Sequence, residues 1–307
     1  MRILLTGGAG FIGSHIAEAY LAGGHEVHII DNLSTGRRAY APVDAVLHEV
    51  DVHSYETERI FKEVRPDIVN HHAAQASVKV STQDPVADLE ANAGGTARIA
   101  EFCVANGVPK LIYASSGGTV YGDPQSLPVT EEHPTIPMSP YGLSKLTGEL
   151  YIQLFSRTHG LDYTIFRYGN AFGPRQDPYG EAGVVAIFTA NMLAQRPCTI
   201  DGDGEQRKDY LYVGDVARAN VQALSRGSKQ VLNIGTGTGT SVNEIFKALQ
   251  TATGDTTEPA YGPPRPGDVR MFWLDCSRAE QELDWRPEVS FEEGVRRTVE
   301  SLRYHQH

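Results

Sequence analysis

Short apolar runs alternate with amphipathic segments through the first half of the chain. Runs such as Ile3-Leu4-Leu5 and Val27-His28-Ile29-Ile30 are almost continuously apolar, which is typical of parallel strands that helices cover on both faces. The pattern predicts strands over residues 2–6, 26–30, 45–49, 67–71, 110–115 and 162–167. The segments between them predict helices over residues 11–22, 55–64, 85–106 and 140–159. This alternation indicates an α/β fold, a doubly wound parallel sheet.

The alternation becomes irregular after about residue 170, where loops rich in glycine and proline appear. Two of these loops cover residues 173–178 and 261–267, and loops of this composition often carry ligand contacts. Shorter helices are predicted over residues 184–194, 213–225, 241–253 and 291–304. We therefore expect a large sheet domain at residues 1–170 and a smaller α/β domain at residues 171–307, some of whose segments return to the sheet.

The composition is that of a globular protein with an acidic surface. The 307 residues carry 27 Lys and Arg against 38 Asp and Glu, a net charge of −11, which argues against a nucleic-acid partner or an anionic membrane. The apolar start ends at Thr6-Gly7-Gly8, too soon for a signal peptide or a membrane span. The cysteines Cys103, Cys198 and Cys276 are too far apart to suggest a zinc site. We expect a cytoplasmic protein without a metal.

A glycine-rich turn, from Thr6 to Gly13, follows the first predicted strand and opens the first predicted helix. Gly7 allows a tight turn, Gly10 lets the backbone approach a pyrophosphate, and Gly13 lets the helix lie close to the strand. The amide groups at the helix start then face the phosphate. This order predicts that residues 1–170 form a Rossmann-like domain for a dinucleotide.

Asp31 closes the second predicted strand, 18 positions after Gly13. A carboxylate there accepts hydrogen bonds from the ribose hydroxyls of the adenosine and repels a 2′-phosphate, which favours NAD over NADP. Arg37 and Arg38 follow in the next loop and are able to receive a 2′-phosphate. On balance we predict NAD as the cofactor.

Tyr141 and Lys145 lie four residues apart near the start of a predicted helix, so both side chains project from one face. A neighbouring positive charge favours the phenolate form of a tyrosine. Lowering a tyrosine pKa from ~10 to ~7 needs about 4 kcal/mol, which a buried lysine and an oxidised nicotinamide together can supply. In a chain that also has a glycine-rich turn for a dinucleotide, this pair predicts that Tyr141 acts as a base.

The order of these and further motifs resembles the extended short-chain dehydrogenases/reductases, and most closely the UDP-glucose (UDP-galactose) 4-epimerases. The resemblance extends over nearly the whole chain. Besides the glycine turn and the Tyr141/Lys145 pair, the motifs are Asp31-Asn32-Leu33, Asp51-Val52, His72-Ala73-Ala74-Gln75, Ser115-Ser116, Val120-Tyr121-Gly122, Arg167-Tyr168-Gly169-Asn170 and Arg265-Pro266-Gly267-Asp268.

The resemblance implies an enzyme that inverts C4 of a UDP-hexose through a 4-keto sugar and bound NAD. It implies that Tyr141 removes the proton of the 4-hydroxyl group, while Lys145 holds the ribose of NAD and keeps the pKa of the tyrosine low. The cofactor contacts that it implies, besides these two residues, are Gly7, Gly10, Phe11, Ile12, Gly13, Asp31, Asn32, Asp51, Val52, Ala73, Ala74, Gln75, Asn92, Ser115 and Tyr168.

The segment Ser115-Ser116-Gly117-Gly118-Thr119 departs from the family pattern. Relatives carry a Ser or Thr hydroxyl for the sugar oxygen at the position of Gly117. We predict Ser116 as the replacement catalytic hydroxyl, with Thr119 or a water molecule above the glycine as alternatives. The same segment argues against a sugar-nucleotide dehydratase or decarboxylase, because relatives with those activities carry acidic residues where this chain has Gly118 and Thr119.

A second departure lies directly before Asp209-Tyr210, where relatives have an arginine and this chain has Lys208. A lysine cannot form the two-pronged contact of a guanidinium with phosphate. We therefore expect Arg207 to reach the substrate diphosphate, with Lys208 as the alternative. The further substrate contacts implied by the resemblance are Asn170, Arg265 and Asp268.

The preferred sugar depends on a single weak signal, Phe272. It resembles a position at which epimerases vary a residue that gates N-acetyl groups, and its bulk favours UDP-glucose and UDP-galactose. A phenylalanine of the core is the alternative interpretation, and UDP-glucuronate and UDP-N-acetylhexosamine stay open as substrates. A net reductase and a non-catalytic NAD-binding sensor are the other hypotheses; the pair Tyr141 and Lys145 argues against the sensor.

The resemblance also predicts a homodimer. The predicted helices over residues 85–106 and 140–159 resemble the pair that forms an intersubunit four-helix bundle in this family. Both helices are long enough to pair between subunits.

Overall fold

The computed structural model describes residues 1–179, 183–264 and 269–304. Its strands are β1 Arg2–Thr6, β2 Glu26–Ile30, β3 Val46–His48, β4 Ile68–His71, β5 Lys110–Ser116, β6 Asp162–Tyr168, β7 Asn170–Phe172, β8 Thr199–Asp201, β9 Arg207–Lys208, β10 Tyr210–Tyr212, β11 Gln230–Ile234, β12 Thr240–Ser241 and β13 Ala260–Gly262. Seven of them form the main sheet, which is parallel throughout and has the order β11-β6-β5-β4-β1-β2-β3.

Helices cover both faces of this sheet, whose central strands are almost wholly buried. The short strands pair outside it, as β7 with β10, β8 with β13 and β9 with β12. The helices are α1 Phe11–Ala22, α2 Tyr55–Val64, α3 Val78–Gln83, α4 Pro85–Leu89, α5 Gly95–Ala105, α6 Gly117–Val120, α7 Pro140–His159, α8 Val184–Leu193, α9 Val213–Ala223, α10 Val242–Thr253, α11 Ser277–Leu283 and α12 Phe291–Tyr304, with a π-helical turn at Glu90–Gly94 and a 3₁₀ turn at Arg38–Tyr40.

The predicted fold class, a doubly wound parallel sheet, is confirmed. Each of the six predicted strands is present within one residue of its expected bounds. The helix expected over 85–106 is divided into α4, the π-helical turn and α5, since Glu90–Gly94 switches to the wider hydrogen-bond pattern. Single π turns of this kind are frequent at functional sites, and this one contains Asn92.

One strand of the main sheet comes from the second part of the chain. β11, at Gln230–Ile234, pairs in parallel with β6 from Thr164 to Tyr168. β11 is thus a segment after residue 170 that returns to the main sheet. The domain boundary at residue 170 stays a prediction.

The order of the strands reverses between β1 and β4, and this point positions the site. β1 continues to β2 and β3 on one side, while β4, β5 and β6 lie on the other. The crevice at the carboxyl ends of the strands, where the order reverses, is where sheets of this kind bind their ligands. Thr6 and His71 are paired at that edge, and their side chains are hydrogen-bonded at 2.6 Å between Oγ1 and Nδ1.

Local capping fixes the helix that carries the predicted base. The Ser139 side chain accepts a hydrogen bond from the Gly142 amide, and Pro140 occupies the first helical turn. Gly160 ends the helix in the left-handed conformation, with φ of 77°. Tyr141 therefore lies in the first turn of α7, close to the end of β5.

Candidate active site

The glycine turn has no room for side chains at two of its three predicted positions. Gly7 has φ of +71°, and a Cβ there would lie 2.6 Å from the Ala73 amide nitrogen. A Cβ on Gly13 would lie 2.1 Å from the Gly7 carbonyl oxygen. At Gly10 the nearest atom would be that same oxygen, at 3.3 Å. The glycines thus let β1, α1 and the segment after β4 meet closely, as a phosphate cradle requires.

Asp31 lies at the end of β2, beside the cradle. Its carboxylate is buried and accepts hydrogen bonds from the Ala9 and Leu33 amides, both at 2.9 Å. The cations of the following loop are engaged elsewhere: Arg37 pairs with Asp177 at 3.5 Å, and Arg38 pairs with Glu49. A carboxylate at the ribose position with its neighbouring arginines committed elsewhere favours NAD over NADP.

Three further predicted cofactor contacts, Asn32, Asp51 and Val52, lie after β2 and β3. The Asn32 side-chain amide donates to Asp51 Oδ2 at 2.8 Å, and the other oxygen of Asp51 accepts from the His53 backbone amide. Val52 is buried in the core cluster around Ile99 and Val69. Asn32 and Asp51 thus form a polar pair at the surface, while Val52 supports it from below.

The segment Ala73-Ala74-Gln75 after β4 is held by Asn92. Asn92 Oδ1 accepts from the Gln75 amide at 2.9 Å, and its Nδ2 donates to the Gln75 carbonyl at 3.0 Å. The Ala73 amide donates to Thr6 Oγ1 at 3.1 Å. Asn92 is 1% exposed, so in this structure it orders the segment from behind.

Ser116, Tyr141 and Lys145 come together at the carboxyl end of β5. Ser116 lies close enough to the Tyr141 phenol for its side chain to lower the pKa of the tyrosine, and both residues line the same cavity. The Lys145 ammonium group donates to the Ala114 carbonyl at 2.9 Å and lies 6.0 Å from the centre of the Tyr141 ring. The three side chains that the sequence nominated for catalysis therefore occupy one place.

Burial shifts the pKa values of this group in opposite directions. Desolvation raises the pKa of Tyr141 to about 12, against the lowering effect of the Ser116 hydrogen bond. Desolvation lowers the pKa of Lys145 to about 8, while the charges of Asp88 and Glu149 act to raise it. A hydroxyl donor beside the phenol is what a phenolate needs, because hydrogen bonds to the charged form stabilise it.

Ser115 has a different partner from its neighbour. Its hydroxyl donates to Glu149 Oε1 at 2.5 Å, and Glu149 is paired with Arg167 through distances of 3.0 Å and 2.6 Å. Arg167 also donates to the Tyr121 hydroxyl at 2.9 Å. Ser115 therefore joins α7 to strands β5 and β6 inside the protein. It also borders the cavity in front of Tyr141.

A cavity of about 530 Å³ opens in front of these residues. Its walls include the predicted residues Phe11, Ile12, Ser116, Tyr141, Tyr168 and Asn170. The Tyr168 hydroxyl accepts from Asn220 Nδ2 at 2.9 Å and lies 3.2 Å from His72 Nε2. The opposite part of the chain contributes residues of α8, β8, β9 and β10 to the same cavity. Both predicted halves of the protein thus contribute to one space.

The expectation that Arg207 reaches the substrate stays a prediction, and in the structure this side chain has its partners elsewhere. Its guanidinium group pairs with Glu244 at 2.9 Å and donates to the Gly239 carbonyl at 2.9 Å. Lys208, its neighbour on β9, lines the cavity instead. The physical reason is the strand geometry, because successive side chains of a strand point to opposite faces. Glu244 is already fixed as the acid of a capping box with Ser241 at the start of α10.

Phe272 is likewise not a wall of the cavity. It is 2% exposed and belongs to a core cluster with Val120, Tyr121 and Leu274. This position agrees with the alternative interpretation, a core phenylalanine, and the role as a gate for N-acetyl groups stays a prediction. Two other predicted contacts, Arg265 and Asp268, lie outside the described residues.

Comparison with known proteins identifies the family. A sequence model described as "NAD dependent epimerase/dehydratase family" matches residues 3–235. The chain belongs to this family. The resemblance drawn from the motifs is thereby confirmed, and so is the prediction of NAD as the family's cofactor.

Relatives of this epimerase/dehydratase family member match it from end to end. A UDP-glucose 4-epimerase of Mycolicibacterium smegmatis is 42% identical over 99% of both chains. The solved UDP-glucose 4-epimerase of Thermotoga maritima, in a structure with UDP-glucose, is 47% identical with a TM-score of 0.98, and the match covers 100% of both chains. The Thermus thermophilus UDP-glucose 4-epimerase, solved in complex with NAD, is 46% identical over 99% of both chains, with a TM-score of 0.93.

Sequence reasoning missed several polar residues of the cavity. Gln176 lines it and has a buried side-chain oxygen without a hydrogen-bond partner among the described residues. Asp201 and Gln206 also line it. A signal was available for Gln176, since it lies in the Gly- and Pro-rich loop over residues 173–178 that indicated ligand contacts. For the other two, no local pattern distinguished them from surface residues.

None of the helices at residues 1–179, 183–264 and 269–304 is long and apolar enough to cross a membrane. No group of His, Cys, Asp and Glu within the same ranges is arranged to hold a metal ion.

Proposed function

We propose that the protein is an NAD-dependent UDP-glucose 4-epimerase, which interconverts UDP-glucose and UDP-galactose. The observation that carries this proposal is that Ser116 and Tyr141 lie side by side at the wall of the cavity, with Lys145 one helical turn further along α7. The chemistry of these three groups is that of reversible proton transfer at a hydroxyl group. The end-to-end relatives named as UDP-glucose 4-epimerases support the same activity.

The residues of the crevice fit NAD. The closed space around Gly7 and Gly13 leaves backbone, not side chains, facing the pyrophosphate. Asp31 would hold the adenosine ribose, and Lys145 has ammonium protons beyond the one given to Ala114 for the second ribose. Bound NAD supplies the reversible hydride acceptor that inversion at C4 requires.

The remaining steps belong to the side chains of this chain. Tyr141, as phenolate, takes the proton from the 4-hydroxyl group and returns it after the 4-keto sugar has turned in the cavity. Ser116 stabilises the oxygen charge by hydrogen bonding, and the ammonium charge of Lys145 favours the phenolate. Lys208, which lines the cavity and also donates to the Val269 carbonyl, would hold the diphosphate by its charge, so that the nucleotide is held firmly while the sugar turns.

The segment that follows β5 also argues against elimination chemistry. The resemblance implies acidic residues in dehydratases and decarboxylases at the positions where this chain has Gly118 and Thr119. A Cβ on Gly118 would lie 3.6 Å from Asn170 Oδ1, the nearest atom that the described residues place there. An elimination needs a positioned acid to protonate the leaving group. The epimerase proposal needs none at these positions.

A direct test is incubation of the purified protein with UDP-galactose, and separately with UDP-glucuronate and UDP-N-acetylglucosamine, without added reductant. Separation of the sugar nucleotides should reveal UDP-glucose in the first reaction, formed faster than the C4 epimer in the other two. If all three stay unchanged with NAD present, the proposal is overturned. Faster turnover of either alternative substrate would replace UDP-glucose as the assigned sugar.

The homodimer is part of the same proposal. Leu143, Leu150 and Leu154 are exposed along α7 at helical spacing, and Val86 and Leu89 are exposed on α4 beside it. An apolar face of this kind on the surface of a protein is typical of an interface. A monomeric mass by light scattering would refute the dimer. Location in the cytoplasm stays a prediction, supported by the three free cysteines.

A further inference from the structure

Asp88, on α4, is a buried carboxylate with an incomplete set of partners. It is 1% exposed. Its Oδ1 accepts hydrogen bonds from Gln75 Nε2 at 2.7 Å and from Asn92 Nδ2 at 3.0 Å. Its Oδ2 is buried, and no described residue is hydrogen-bonded to it. A charged carboxylate in such a place is costly unless a cation lies near enough to compensate it.

Arg167 is not the cation that compensates Asp88, because its guanidinium group is already paired with Glu149. Glu149 is 0% exposed and takes two prongs of the guanidinium, from Nε at 3.0 Å and from Nη2 at 2.6 Å. Such a bidentate pair satisfies both charges within itself. Lys145 is the neighbouring buried cation, 4% exposed, whose ammonium group donates to the Ala114 carbonyl rather than to a carboxylate.

A hydrogen-bonded link fixes Asp88 relative to Lys145. Asn92 Nδ2, which donates to Asp88, also lies 3.1 Å from Ser144 Oγ, and Ser144 directly precedes Lys145 on α7. The same Asn92 holds the backbone of Gln75. Asp88, the segment after β4 and the start of α7 are therefore parts of one buried network.

We infer that Asp88 is a positioning residue, whose carboxylate is the buried counter-charge that keeps Lys145 protonated while its hydrogen bonds hold the Gln75 segment beside it. Asp88 acts through Lys145 and does not itself touch the reacting atoms. The role deepens the proposed function, on which its kinetic consequence rests.

The titratable and charged groups around Lys145 set the sign of the effect. Burial is the largest influence and lowers the pKa of Lys145 to about 8; Asp88 comes next and raises it, followed by Glu149. Removing the charge of Asp88 therefore lowers the pKa of Lys145 further, so the lysine loses its proton at a lower pH. Among the described residues, the charged and titratable groups near Lys145 are Asp88 from α4, Glu149 and Tyr141 from α7, Tyr113 from β5, His71 from β4 and His72 after β4. Arg167 from β6 is paired with Glu149.

The test is a pH titration of Lys145 in the purified protein and in Asp88→Asn. The asparagine keeps an oxygen for the bonds from Gln75 and Asn92 and removes only the charge. Because the chain has seven lysines, the ¹³Cε signal of Lys145 can be assigned by its loss in Lys145→Arg. We expect the titration midpoint to fall by roughly one pH unit, the size expected for one buried charge.

Glu90→Gln is the matched control, because it removes an equal charge two residues away at an exposed position. It should leave the midpoint of Lys145 unchanged. An unchanged midpoint in Asp88→Asn, or equal shifts in both variants, would overturn the inference. If the asparagine variant unfolds, Asp88→Ser removes the same charge with a smaller side chain and decides the question in the same way.

The kinetic consequence is separate from this readout. The alkaline limb of kcat/KM for UDP-galactose should move to lower pH in Asp88→Asn together with the lysine midpoint, and not in Glu90→Gln. A fall in kcat/KM at every pH without movement of the limb would mean a purely structural role and contradict the inference. Because the titration needs no turnover, failure of the epimerase proposal and failure of the role of Asp88 give different results.

Discussion

Replacing Ser116 by alanine tests whether this side chain supplies the hydroxyl that the family resemblance implies at position 117, where this chain has glycine. In the structure Ser116 lies beside the Tyr141 phenol, lowers its pKa and borders the cavity. The substitution removes one oxygen and leaves the strand end of β5 in place. No other change in this site isolates the third catalytic group so cleanly.

The expected magnitude follows from the loss of one donor toward a charged oxygen. Removing one such hydrogen-bond donor from a preorganised site typically costs about 10²–10³ in kcat, or roughly 3–4 kcal/mol. Thr119 does not replace it in this geometry: its hydroxyl is buried and without a hydrogen-bond partner among the described residues, and the residue does not line the cavity. We therefore expect a loss in kcat, with KM changed little.

Restoring the hydroxyl at position 117 should fail, for a steric reason. A Cβ on Gly117 would lie 3.1 Å from the carbonyl oxygens of Arg167 and Tyr168 and 3.0 Å from Leu274 Cδ1. The two backbone oxygens belong to β6 and cannot move without disturbing the sheet. Gly117→Ser in the Ser116→Ala background should therefore recover little of the lost rate and should lower the thermal stability.

The assay is the initial rate of UDP-glucose formation from UDP-galactose, with thermal unfolding measured on each variant. Ser116→Thr, which keeps the hydroxyl, is the control and should retain most of the activity. A kcat of Ser116→Ala within about threefold of the parent would refute the role of the hydroxyl and favour a water molecule above Gly117. Full recovery of rate by a serine at position 117 would refute the steric argument.

Three other expectations follow from the same geometry. Tyr141→Phe removes only the hydroxyl, so it should lower kcat by orders of magnitude while NAD affinity and thermal stability stay near the parent values; near-normal turnover would contradict the base. Glu149→Gln and Arg167→Met should each lower the free energy of unfolding in urea by about 3–5 kcal/mol, since each leaves a buried charged group without its partner. The double replacement should lower it by less than the sum of the two, and strict additivity would argue against the Glu149–Arg167 ion pair. Lys208→Ala should weaken UDP binding about 10- to 100-fold by calorimetry. Its neighbour Arg207→Ala, which loses the contacts with Glu244 and the Gly239 carbonyl, should change that affinity little; the reverse order would support Arg207 as the phosphate ligand.

Much of the fold could be read from local sequence. Apolar runs such as Ile3-Leu4-Leu5 indicate strands buried on both faces, because any polar face would show in the alternation. The glycine turn after β1 and the four-residue spacing of Tyr141 and Lys145 are also local, since each depends on the geometry of one turn or one helix. These features determined the sheet, the cradle and the catalytic pair without any knowledge of distant contacts.

Tertiary structure alone decided which partner each residue of a neighbouring pair contacts. Ser115 turns to the buried Glu149 and Ser116 to Tyr141, although both are serines at the end of one strand. In the same way Lys208 lines the cavity while Arg207 pairs with the capping acid of α10. Strand geometry requires adjacent side chains to point to opposite faces, but which face each side chain takes depends on the elements that pack on the two sides.

Phe272 and Asp88 illustrate the same limit for single residues. The sequence presents an aromatic and an acid whose types fit several roles. Phe272 became part of the core, because Val120, Tyr121 and Leu274 converge on it from separate segments. Asp88 lies buried beside the network of Lys145, because the π-helical turn at Glu90–Gly94 places Asn92 between α4 and α7. Sequence determined which chemical groups were available, and long-range packing determined which of them meet.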